Sequence, residues 1–203
     1  VAEVLDIPLN KVLVDMRRMG GGFGGKETQA APWACIAALL ANVTKRPVKF
    51  KLARVDDMVM TGKRHPFENN YTVGFDKNGQ IKGINIEVNG NCGYSPDLSD
   101  AIVDRAMFHA DNSYFYEHVR IKGHRARLNT VSHTAFRGFG GPQGLIVAEA
   151  IMDDVARYLG KDPLAVRRAN LYRPGRDLTP YHQRVEQFIV DDMMQQLMAQ
   201  THY

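Results

Sequence analysis

The stretch NYTVGFDKNGQIKGINIEVN, residues 70–89, holds a turn signal, Asp76-Lys77-Asn78-Gly79, between two runs rich in strand-forming residues. That pattern predicts a β-hairpin, Asn70–Phe75 with Gln80–Asn89. Downstream, Asp97–His109 reads as a short helix and Val119–Leu128 as extended. In the helix expected from Gln143 to Leu159, apolar residues Leu145, Ala148, Met152, Val155 and Leu159 recur at alternating three- and four-residue steps. Gly160 ends that helix. Asp162-Pro163, an N-cap followed by proline at the first helical position, opens another to about Leu171. Arg173–Val185 is loop-like, and Val190–Gln200 reads as a last helix.

Upstream, residues 1–10 read as a helix end running into a loop at Pro8, and Val12–Met16 as a short strand. Glu27–Asn42 reads as a helix that is apolar nearly all round, which predicts a buried element lying close to a sheet. Pro47–Ala53 reads as a further strand. The sum is an α+β fold, mixed sheet layers with packed helices, without a regular βαβ repeat. Residues 1–203 read as part of one larger region, with a sub-boundary near 130–140.

Composition narrows the function classes. Of 203 residues 44% are hydrophobic and 24% charged, ordinary for a globular chain able to bury its own core. The net charge is +4, but basic residues such as Arg17, Arg18, Lys45, Arg46, Lys63 and Arg64 are scattered, not interleaved with aromatics. That speaks against nucleic acid. No run of 18 apolar residues is present, so no membrane span is expected. The two cysteines, Cys35 and Cys92, lack metal spacing, which predicts a reducing, cytoplasmic setting and no zinc or iron–sulfur site in this segment. Val1 in place of a start methionine suggests an internal segment of a longer protein.

Two glycine-rich loops carry the chemistry. Gly20-Gly21-Gly22-Phe23-Gly24-Gly25 leads toward the first long helix, and Phe136-Arg137-Gly138-Phe139-Gly140-Gly141-Pro142-Gln143 toward the second. Such loops bring bare backbone amides close to a ligand, and a first helical turn favours an anion or an oxo group. A phenylalanine between glycines leaves its ring free to stack on a flat heterocycle. Nucleotide binding fits poorly: no acidic residue follows about twenty positions after the first loop, and Gly25-Lys26 is followed by Glu27 instead of Ser or Thr. Glycines serving only a tight turn remain the competing explanation for either loop alone.

Together, RMGGGFGGKET (residues 18–28) and TAFRGFGGPQ (134–143) resemble the two cofactor loops of the molybdenum hydroxylase (xanthine oxidase) family, within it the xanthine dehydrogenase branch. The segments from Asp57 to Phe67, Asp104 to His109 and Tyr181 to Arg184 are similar to it in order and spacing. The resemblance implies a large, molybdenum-cofactor-binding subunit that hydroxylates an electron-poor heterocycle or an aldehyde with oxygen from water. It implies cofactor contacts at Gly22, Phe23, Gly24, Phe136 and Arg137, with Phe23 and Arg137 near the molybdenum. It assigns Phe139 to packing on the purine, and Glu27 and Arg105 to orienting it. A carboxylate suits ring N–H groups, and a guanidinium suits charge developing on an oxygen. Taken alone, Glu27 is a first-turn carboxylate of a helix, and Arg105 a surface arginine paired with Asp104 or Asp111. His65 and His109 read as hydrogen-bonded structural histidines, and Cys92 as a small buried residue.

The resemblance further implies a molybdenum–molybdopterin cofactor, FAD and 2Fe-2S centres on other domains or a partner subunit, and an oligomeric parent enzyme. The family's catalytic glutamate sits in a Gly-Glu loop, and Gly-Glu does not occur in this chain. The segment alone is therefore expected to be inactive. An aldehyde-oxidising relative, or a non-catalytic anion-binding module built on glycine loops, stays open at this point.

Overall fold

The computed structural model describes residues 1–16, 18–201 and 203. Arg17, among the scattered basic positions, lies outside them. The chain forms two compact units between which it passes several times: residues 1–65, 91–99 and 126–137 make the first, and residues 66–90, 100–125 and 138–203 the second.

The second unit is built on the expected hairpin. Strand β1, Phe67–Phe75, pairs antiparallel with β2, Ile81–Gly93, with Tyr71 opposite Ile86. At the turn, the Gly79 amide donates to the Asp76 carbonyl at 2.9 Å, and the Asp76 carboxylate accepts from the amides of Asn78 and Gln80. Asp76 closes the turn with its own side chain, as aspartates at such positions do. β3, Val119–Arg127, lies on the other side of β2. The Ile84 amide bonds to the His118 carbonyl and the Leu128 amide to the Gly93 carbonyl. Both registers rise together, so β2 and β3 run parallel and the sheet is mixed. The expected α+β class holds.

Between β2 and β3 runs α4, Ser99–Phe108, close to the predicted span. α5, Gly141–Leu159, buries a face wider than the predicted stripe, adding Val147, Ile151 and Ala156. Alternate β2 residues Ile84, Ile86 and Val88 face Val103 and Ala106 of α4 and Ile151, Met152 and Val155 of α5 in one core. Each such aliphatic side chain removed from water is worth about 1.5–3 kcal/mol. α6, Pro163–Asn170, starts as predicted, with the Asp162 carboxylate accepting from the Leu164 amide. Its last residue, Asn170, is fully buried: its side chain accepts from the Ile81 amide and donates to the Gly79 and Val166 carbonyls, tying the helix to the hairpin turn. α7, Val190–Thr201, ends the unit as predicted.

The first unit departs from expectation in four places. α1, Ala2–Leu5, precedes a loop at Pro8 as read, but Val12–Met16 is not a strand, and Leu13 is 92% exposed. Pro47–Ala53 is not a strand either; Phe50 stacks on Trp33 with ring centroids 5.7 Å apart. A strand needs a ladder partner for its amides and carbonyls, and among the described residues neither segment has one. A helix not foreseen, α3, spans Arg54–Met60. α2 runs Ala31–Thr44, starting four residues later than predicted, because Pro32 must fall in the first turn to avoid clashing with the preceding backbone. No residue of α2 is buried, against the expectation, and Val43 is 72% exposed. An apolar sequence reports what a helix can bury, whereas burial requires a surface to meet it. Within this chain α2 packs on α1.

Candidate functional site

The first glycine loop belongs to the first unit and is shaped by its contact with Ala135 and Phe136. A Cβ on Gly24 would lie 3.1 Å from the Ala135 carbonyl, and one on Gly25 would lie 2.8 Å from the Phe136 ring. Only residues without side chains let these segments approach so closely. Inside the loop the Gly25 amide donates to the Gly22 carbonyl at 2.9 Å, and the Glu27 amide to the Gly24 carbonyl at 3.4 Å. Among the described residues, the amides of Gly22, Phe23 and Gly24 make no hydrogen bond. Phe23 is 67% exposed. Glu27 is exposed too and makes no ion pair among the described residues.

The late start of α2 changes two readings. Glu27 is not in a helical first turn, so a favourable helix dipole does not account for it. The first glycine run likewise does not abut a helix N-terminus. The second does, since Gly140 is the N-cap of α5. The loops nevertheless share a local geometry. Phe23 (φ +49°) is followed by Gly24 (+88°), and Phe139 (+48°) by Gly140 (+96°). A bulky residue in the left-handed region costs about 1–3 kcal/mol, a strain that collects at ligand-holding sites. Arg137 is exposed, and its carbonyl accepts from the Arg64 guanidinium at 2.6 Å.

Arg105 and Phe139 both belong to the second unit. Gly140 and Gly144 lie directly against the carbonyls of Ile102 and Ala106, so the loop bearing Phe139 seats on the helix bearing Arg105. Arg105 is exposed, and neither anticipated partner holds it. Asp104 pairs with Arg125, and Asp111 accepts from the Tyr172 hydroxyl at 2.6 Å. Instead the Arg105 Nε donates to His109 Nε2 at 3.3 Å, one helical turn on. Burial, then the neighbouring Arg105 charge, push the His109 pKa down, which keeps that ring nitrogen an acceptor. His109 also packs beside Gly141. The arginine is thus held at Nε while its charge has no ionic partner among the described residues.

The family model described as the molybdopterin cofactor-binding domain matches residues 1–171. The chain belongs to this family. The molybdopterin-binding chain is 45% identical over 202 residues to the xanthine dehydrogenase/oxidase of Gallus gallus, covering 100% of this chain and 15% of the relative. It is 40% identical over 204 residues to the xanthine dehydrogenase of Blastobotrys adeninivorans, all of this chain and 14% of the relative. The chain therefore spans about 15% of the length of the curated relatives it matches. The solved aldehyde oxidoreductase of Desulfovibrio gigas superposes with a TM-score of 0.77 at 33% identity, over 91% of this chain and 20% of its own. The CO dehydrogenase of Oligotropha carboxidovorans shares the fold, with a TM-score of 0.81 at 20% identity over 100% of this chain and 26% of its own. No helix among the described residues is long and apolar enough to cross a membrane.

The structure supplies the partners of the side chains that the sequence reads as structural. His65 is 2% exposed, with Nε2 2.7 Å from the Ser99 hydroxyl and its ring tilted against His133, centroids 5.8 Å apart. Burial, and next the His133 charge, lower its pKa to about 4. The unfolded chain therefore binds a proton near pH 6.5 that the folded His65 refuses until about pH 4, so stability falls as the pH drops through that window. Asp111, pushed up to about 6 by burial, has the opposite slope. The His65 share is hence read by difference: wild-type stability minus that of His65→Gln falls by about 2 kcal/mol between pH 7 and pH 5. Urea unfolding at the two pH values measures it, and a pH-independent difference refutes it. Cys92 is buried and forms no disulfide, in keeping with the small buried residue read from the sequence. His109 had one usable signal, its i,i+4 spacing from Arg105.

Proposed function

We propose that this chain is part of the large subunit of a xanthine dehydrogenase, supplying its two cofactor loops and the side chains that orient the purine. The reaction is oxidative hydroxylation of hypoxanthine and xanthine to urate. One observation carries the reading: in a chain 45% identical to a xanthine dehydrogenase/oxidase, Glu27 and Arg105, the two residues that the resemblance assigns to the purine, are both exposed and without ionic partners among the described residues.

The residues fit the cofactor. The unbonded amides of Gly22, Phe23 and Gly24 are donors for an oxo or anionic group, and a Cβ at Gly24 would crowd the loop. Arg137 has an exposed guanidinium suited to an anionic part of the pterin, and Phe136 fixes the loop behind it. When bound, the molybdenum–molybdopterin group supplies the redox chemistry, taking up electrons as oxygen from water is added to the ring. Glu27 accepts hydrogen bonds from purine N–H groups. Arg105, steadied by His109, meets the purine oxygen on which negative charge develops, and Phe139 packs on the flat ring. The proton-accepting glutamate comes from another segment, so this chain alone does not turn over. FAD and 2Fe-2S centres on other domains or a partner subunit carry the electrons away, in an oligomeric cytoplasmic enzyme.

The test uses the intact parent enzyme, with molybdenum measured by elemental analysis alongside urate formation. About one metal per subunit with urate formed supports the reading. Metal with oxidation of aldehydes alone moves the chain to the aldehyde-oxidising branch. Glu27→Ala is expected to raise KM for xanthine about tenfold, the scale of one charge-assisted hydrogen bond, and to spare aldehydes. Equal loss on both substrate classes removes the orienting role.

A further inference from the structure

We infer that Thr28 is a positioning residue for Glu27, acting through a hydroxyl chain that anchors the first glycine loop to the second; the inference rests on the purine-orienting role proposed for Glu27. The Thr28 hydroxyl donates to the Asp97 carboxylate at 3.1 Å and lies 3.3 Å from the Thr134 hydroxyl. A hydroxyl has one proton to give. With that proton on Asp97, Thr134 must donate to Thr28, so the chain runs Thr134 to Thr28 to Asp97 and ends on a charge, which strengthens each link.

The two ends of this chain differ in rigidity. Thr134 is 1% exposed, its amide donates to the Lys63 carbonyl at 3.1 Å, and it forms a parallel bridge with Arg64. Behind it, His65 is held by the buried Ser99. Next to Thr28, Gln29 accepts from the Gly62 amide at 2.6 Å. On the loop side, Lys26 and Glu27 are exposed, and among the described residues the Glu27 backbone is tied only by its long 3.4 Å bond to Gly24. Thr28 is therefore the first side chain after Glu27 that is fixed to the body of the unit, and the direction of the Glu27 carboxylate depends on it.

The test compares Thr28→Val, which keeps the shape and removes the hydroxyl, with Thr28→Ser, which keeps the hydroxyl, in the intact enzyme. Thr134→Val, removing the adjacent hydroxyl, is the second variant should Thr28→Val fold poorly. The expected result for Thr28→Val is a KM for xanthine about tenfold higher, the scale of one lost hydrogen bond to a charged group. Its kcat, aldehyde KM and molybdenum content stay as in wild type, while amide exchange across residues 20–29 quickens; Thr28→Ser restores both KM and exchange. Wild-type KM and exchange in Thr28→Val, in an enzyme that oxidises xanthine, overturn the inference alone. Parallel losses of metal, aldehyde and purine activity also overturn it, since they mark general damage to the fold. A metal-loaded wild type that forms no urate overturns the purine reading and, with it, the role given to Thr28.

Discussion

Under the purine-orienting role proposed for Arg105, replacing it by methionine in the intact enzyme is expected to lower turnover on xanthine by about 10²-fold or more, the size of one lost donor at a developing oxyanion. Methionine keeps the length and much of the apolar stem but removes the charge, so packing on α4 changes little. The expectation rests on how the arginine is held. Asp104 is engaged by Arg125 and Asp111 by Tyr172, which among the described residues leaves the Arg105 guanidinium bound only at Nε, by His109. A surface arginine serving stability would instead share its charge with a carboxylate, a contact worth roughly 0–1 kcal/mol. Steady-state kinetics on xanthine and on an aldehyde separate the two roles. A change below about tenfold on xanthine, or equal losses on both substrates, returns Arg105 to the surface.

Gly140→Ala is expected to destabilise the chain by about 4 kcal/mol or more, from strain plus overpacking. Gly140 has φ +96°, and a Cβ there collides with the Ile102 carbonyl of α4 and approaches the Ala106 amide to 3.1 Å. Both obstacles are backbone atoms in the middle of a helix, so neither can step aside cheaply. Gly160→Ala is the matched control: it too has positive φ, at the end of α5, but its Cβ would enter open space. That change is expected to cost only about 1–2 kcal/mol, the left-handed backbone penalty. Chemical denaturation of both variants measures the difference, and equal midpoints contradict the close packing of the Phe139 loop on α4.

The same contrast explains what was legible in the sequence. The hairpin at Asp76–Gly79, the Asp162 cap and the stop at Gly160 are local devices, each closed by atoms a few residues apart, and all three appear as read. The loops were recognisable because their glycines and phenylalanines occur in an uncommon order. By contrast, Val12–Met16 and Pro47–Ala53 have strand-like composition and no ladder partner among the described residues. α3 escaped notice because it is only seven residues long, so the helical spacing of Val55, Met58 and Val59 runs for barely one turn.

By itself the sequence determined the α+β class, the elements of the second unit and the family, because turn chemistry, helix periodicity and loop motifs are written in neighbouring residues. Only the tertiary structure decided that no residue of α2 is buried, that Glu27 precedes its helix instead of opening it, and that His109 holds Arg105. It also decided that Thr28, Asp97 and Thr134, separated by up to 106 residues, meet in one hydrogen-bonded chain. Burial and side-chain partnership depend on which distant segments arrive at a surface, and a linear pattern carries no record of that arrival.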